Sequence, residues 1–92
     1  MQWPDVWEQV APNARQALEA ELQREVAPGH LLYSVDVSAL ARRNDCDDML
    51  FSLNGSTSVA VVHLSYGNNT DILWPHTQFF SSLKEWKKQQ QP

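Results

Sequence analysis

The residues with the most chemistry in them are two histidines and a short run of acids. His63 lies in "VAVVHLSY" and His76 in "WPHTQFF", while Asp45, Cys46, Asp47 and Asp48 crowd the segment "NDCDD". Imidazole, thiolate and carboxylate are the donors that hold divalent metals. An imidazole beside a carboxylate is also a common acid–base couple. The spacing supplies no local chelate, because neither a C-x-x-C nor an H-x-x-x-H pattern occurs. These groups act together only if the fold gathers the histidines and the acidic segment in one place. The plainer role of His63, between Val62 and Leu64, is that of a neutral strand residue bonded to backbone, so no metal ligand and no cofactor are assigned.

Nucleophilic chemistry has still less to stand on. Cys46 is the only cysteine, which rules out an intrachain disulfide. A reactive thiolate needs a positive neighbourhood, and Cys46 has three aspartates beside it, offset in part by Arg42 and Arg43. No G-x-S-x-G elbow, phosphate loop or dinucleotide fingerprint is present. No catalytic residue is assigned, and the expectation is a protein that is not an enzyme. The "NDCDD" segment then reads either as a solvated turn whose Asp side chains bond local backbone, or as an acidic knob for a basic partner.

The elements that would carry these groups follow from periodicity. Trp3, Val6 or Trp7, and Val10 recur at helical spacing, which predicts a short helix with Pro4 in its first turn. Pro12 separates it from "NARQALEAELQREVAPG", where Ala14, Leu18, Leu22 and Val26 form one apolar stripe. Asn13 is the expected N-cap, with Gln16 at the capping-box position, and Pro28-Gly29 ends the helix. Val35, Val37, Ala39 and Ala41 then alternate with Ser34, Asp36, Ser38 and Leu40, a strand pattern running to about Arg43. "MLFSL" is a second strand, and Asn54-Gly55 is a hairpin signal. "VAVVHLSY" is a third strand, apolar on both faces and therefore expected to be covered on both sides. "ILWPHTQFF" reads as irregular or as a short edge strand, since Pro75 has no N–H to donate. Ser82 and Glu85 form the capping box of a closing helix that turns Leu83 and Trp86 inward.

This order predicts one α+β domain over residues 1–92. Its expected form is a two-layer sandwich in which a three- to four-stranded antiparallel meander carries the N- and C-terminal helices on one face. The chain has 92 residues, a hydrophobic fraction of 42% and four Trp, which suits a globular domain. A net charge of −4 with dispersed Lys and Arg disfavours nucleic acid, whose affinity comes mainly from cations meeting phosphates. No apolar run approaches the roughly 20 residues that span a bilayer. The start "MQWPDVWEQV" has no basic segment and no apolar core of signal-peptide length, so the expected location is cytoplasmic.

The corner Trp74-Pro75-His76 poses its own choice. Trp74, with Ile72 and Phe79, could seal the open sheet edge, with Pro75 blocking edge-to-edge pairing. Alternatively Trp74 and His76 could stand beside Tyr66 as an interaction hot spot, since Trp and Tyr are enriched there. The segments "LARRNDCDDMLFSL" and "VAVVHLSY…WPHTQFFSSLKEW" resemble a group of short uncharacterised bacterial proteins. The resemblance covers roughly residues 18–86, and its recognisable pieces are His63-Leu64 ahead of Tyr66 and Trp74-Pro75 ahead of Thr77. Tyr66 departs from the Trp common at that position in the group. The resemblance implies a small stand-alone cytoplasmic domain and carries no reaction.

The function expected from these observations is a small acidic protein-binding module without catalytic activity, of the immunity or antitoxin-like kind that caps a basic protein. Its contact residues would be Asp45, Asp47, Asp48, Tyr66, Asn68, Asn69, Trp74 and His76, and the chain would be a monomer or a weak homodimer. Two alternatives stand beside it. One is a small metal-assisted or acid–base enzyme around His63, His76 and the Asp45–Asp48 turn. The other is a structural domain that self-associates through an open strand edge.

Overall fold

The structure, a computed structural model, describes residues 3–64 and 75–90. Among these, the chain runs β1 (Trp7–Gln9), α1 (Pro12–Glu25), β2 (Val37–Arg43), β3 (Asp48–Leu53), β4 (Val59–His63), β5 (His76–Phe80) and α2 (Leu83–Gln89). Each strand pairs antiparallel with its sequence neighbour, giving one five-stranded sheet in the order β1-β2-β3-β4-β5. The α+β class and the antiparallel meander agree with expectation, with one strand more than expected. No helix among the described residues is long and apolar enough to cross a membrane.

The extra strand replaces the expected N-terminal helix. Val6 takes a positive φ of 65°, a costly conformation for a β-branched residue, and turns the chain into β1. The Val6 carbonyl accepts from the Asn44 N–H at 2.8 Å, and Glu8 and Gln9 lie opposite Arg42 and Ala41 of β2. The helical spacing of the tryptophans survives in another form: Trp3 and Trp7 both pack on Trp86.

Helix α1 begins slightly earlier than its sequence predicts. Ala11 is its N-cap without a side-chain bond, and Pro12 occupies the first turn, where a missing N–H costs nothing. Asn13 is therefore inside the helix and caps nothing. The stripe Ala14, Leu18, Leu22, Val26 packs into one buried cluster with Val37, Ala39, Met49, Phe51, Ala60, Val62 and Leu64. Helix α2 starts as expected, with the Glu85 N–H donating to Ser82 Oγ at 3.1 Å.

The two helices do not share a face, contrary to the expected two-layer sandwich. Trp86 of α2 is fully buried in a second cluster with Trp7, Ala41, Leu50 and Val59, flanked by Leu40, Val61, Phe80 and Leu83. Successive strand residues point to opposite sides. Met49 and Phe51 belong to the α1 cluster and Leu50, between them, to the α2 cluster, so the sheet lies between the helices. The physical reason is in β3 and β4 themselves, which are apolar at consecutive positions and need cover on both sides. A register shift in β2 between Ala39 and Ala41 moves Ala41 to the α2 side, breaking the simple alternation read from sequence. The Ala39 N–H, beyond the reach of β1, donates instead to Glu19 Oε2 of α1 at 2.8 Å, which ties helix to sheet.

Candidate functional site

The β3–β4–β5 register gathers the chemistry. Asp48 lies opposite His63, and His63 lies opposite His76, so the three form one row across adjacent strands. Directly opposed residues share a face, and this row shares its face with Leu50, Val61 and Gln78, the side that α2 covers further along. His63 and His76 are exposed, and Asp48 is half-buried. His63 Nδ1 sits 2.7 Å from Asp48 Oδ1. A carboxylate only accepts, so Nδ1 carries a proton, and in the neutral ring the lone pair is left on Nε2.

The register is set by two loops. Gly55 takes φ +87° in the β3–β4 connection, as the Asn54-Gly55 signal requires. The connection spans residues 54–58 and is closed by the Leu53 N–H donating to the Ser58 carbonyl at 3.0 Å. At the other end, residues 44–47 form the expected polar turn. The Leu64 N–H donates to the Asp47 carbonyl at 3.3 Å and fixes the turn against β4.

Within that turn the acids have different fates. Arg43 donates to both carboxylate oxygens of Asp45, at 2.8 and 2.7 Å. This bidentate bond holds the Asp45 carboxyl below its ordinary range and raises the Arg43 guanidinium. A lowered carboxyl stabilises the fold above its unfolded pKa and ceases to do so as pH falls through the folded one; on so exposed a pair the effect is small. Asp47 and Cys46 are exposed, and among the described residues Asp47 has no ion pair. The structure thus brings Asp47, Asp48, His63 and His76 to one end of the sheet and commits Asp45 to Arg43. Tyr66, Asn68, Asn69, Ile72 and Trp74 lie outside the described residues. Pro75 is buried and Phe79 is 41% exposed, so Phe79 does not seal the edge of β5.

Two polar residues that the sequence does not single out have structural work. His30 is 8% exposed, and its Nδ1 accepts from the Leu32 N–H at 3.0 Å. Its Nε2 lies 2.9 Å from the Pro75 carbonyl. A backbone N–H only donates and a carbonyl only accepts, so the ring is the neutral Nε2–H tautomer. It clamps the loop after α1 to the start of β5. Glu25 is buried at the end of α1. Neighbouring Glu21 is held below the ordinary carboxylate range, first by its bond to Arg24 and then by one with Glu25. Nothing in "PGHLLY" marks His30 as buried; only its place just after the helix-ending Pro28-Gly29 hints at a loop anchor.

A shallow polar groove of about 470 Å³ runs between α1 and β2, lined by residues including Arg15, Glu19, Asp36 and Asn54. Its Glu19 is already engaged by Ala39. Among the described residues no three His, Cys, Asp or Glu side chains are placed to hold one metal ion. Fold and site together define a small α+β meander sheet with a polar, histidine-bearing end. Comparison with protein-family models, curated proteins and solved structures finds no match.

Proposed function

We propose that this chain is a small cytoplasmic protein-binding module that performs no reaction of its own and caps a basic protein surface, in the manner of an immunity or antitoxin-like inhibitor. The supporting observation is the exposed Asp47, at the β3 end of a turn fixed to the end of β4 and beside the Asp48–His63–His76 row. A carboxylate held on a rigid turn supplies association rate and specificity toward Lys or Arg of a partner. Tyr66 and Trp74, which lie outside the described residues, would supply the apolar centre of the contact.

Charge reversal tests this. Asp47→Lys is expected to weaken a stoichiometric partner isolated from the source cell by about tenfold at low salt, mostly through slower association. It should change the chain's own stability by no more than about 0.5 kcal/mol, as for other exposed sites. Surface plasmon resonance at two salt concentrations, with urea denaturation of the variant, reads both. An affinity indifferent to Asp47→Lys and to salt would rule the acidic turn out of the contact.

A second reading draws on the 2.7 Å Asp48–His63 bond. It is a small acid–base enzyme in which Asp48 orients His63 and His63 takes a proton. Partner affinity that survives His63→Gln, together with a turnover that does not, would favour it. Self-association would use an edge strand, which among the described residues is β1 or β5, and sedimentation would show it as a concentration-dependent dimer.

A further inference from the structure

We infer that His63 and His76 form a two-nitrogen surface site for a late first-row divalent transition metal, with Asp48 orienting the first ligand. The site shares its residues with the proposed partner contact but does not depend on that proposal.

The two histidines are direct cross-strand partners on β4 and β5. Such partners have Cβ atoms about 4.5–5.5 Å apart and side chains on one face, which lets two imidazoles converge on one point above the sheet. The Asp48 bond to His63 Nδ1 fixes the tautomer of the neutral ring and leaves its lone pair on Nε2. A carboxylate on the second ring nitrogen is how metal-binding histidines are commonly held, and it raises ligand basicity. The His63 side chain is 48% exposed, so an ion reaches it without opening the fold. Two protein nitrogens leave the remaining coordination positions to water. Imidazole donors suit Cu²⁺, Ni²⁺ and Zn²⁺, whereas Mg²⁺ and Ca²⁺ require oxygen ligands. The remaining histidine does not compete, because both ring nitrogens of His30 are engaged inside the fold.

The test is titration of the full chain with Cu²⁺, Zn²⁺ and Mg²⁺, read by calorimetry and by the ring NMR shifts of the three histidines. One Cu²⁺ per chain is expected, bound more tightly than Zn²⁺ in the usual order of stability, with Mg²⁺ not bound. The shifts should move at His63 and His76 and not at His30. Asp48→Asn keeps both imidazoles and is expected to weaken Cu²⁺ by about 10–100-fold, the usual effect of losing an orienting carboxylate. His63→Ala and His76→Ala should each do at least as much, and Cys46→Ser should change nothing. No binding by the native chain, wild-type affinity in the His63→Ala/His76→Ala double variant, or loss of binding in Cys46→Ser would each overturn the site. The native-chain ring shifts decide the matter without any variant: movement at His30 alone overturns it.

Discussion

Trp86→Ala is expected to destabilise the protein by about 3–5 kcal/mol, the range for removing a fully buried large aromatic. Trp86 is the wall of the second core: it meets Trp7 edge-on with centroids 5.0 Å apart and Trp3 at 6.1 Å, and its surface is wholly buried. Lys87 lies 5.6 Å over the Trp3 ring and helps hold that layer together. Small domains are stable by only about 5–15 kcal/mol, so this one truncation removes a large share of the total. Trp86→Phe should cost much less, about 1–2 kcal/mol. Phe keeps most of the ring volume and removes a buried indole N–H that has no hydrogen-bond partner among the described residues. Urea denaturation of both variants checks the pair. A loss under about 1 kcal/mol for Trp86→Ala would mean that α2 does not cover this face of the sheet.

His30→Ala is expected to cost about 2–5 kcal/mol. It opens a cavity, leaves the buried Leu32 N–H without a partner, a stranding worth roughly 1–3 kcal/mol, and reduces the Pro75 carbonyl to the single bond it accepts from Thr77 Oγ1. His30→Gln retains both an acceptor and a donor and is expected to recover part of the loss. Denaturation midpoints of the two variants measure this, and amide exchange at Leu32 reports the clamp directly. Equal losses for Ala and Gln would show that shape, not hydrogen bonding, holds the corner.

Much of the scaffold is legible in the sequence because its signals are local. The four-residue spacing of Ala14, Leu18, Leu22 and Val26, the Asn54-Gly55 turn and the Ser82 cap each act within one element. What is not legible depends on distant partners. "WPDVWEQVAP" has helical spacing, but β1 forms because β2 offers an edge and Val6 turns the chain toward it. The helices lie on opposite faces because Met49-Leu50-Phe51 and Val59 to Val62 are apolar at every position, a fact visible in the sequence that a one-sided sandwich leaves unsatisfied.

The candidate site shows the same division. His63 and the acidic segment are readable as chemistry, but their pairing depends on register. A two-residue Asn-Gly hairpin would set His63 opposite Cys46. The connection over residues 54–58 shifts the pairing by two positions and sets His63 opposite Asp48. The face is unchanged, since a shift of two preserves the side, but the neighbour becomes a carboxylate in place of a thiol. The role of His30 is hidden in the sequence because its partner, Pro75, is 45 residues away.

The most direct measurement is a hydrogen-exchange footprint of the chain bound to a partner purified with it from its source cell. Protection confined to residues 44–48, the end of β4 at His63, the segment 65–74 and the start of β5 at His76 is the predicted result. Protection centred on α1 or β1, with the acidic turn exchanging as in the free chain, would contradict a contact built on Asp47 and the Asp48–His63–His76 row.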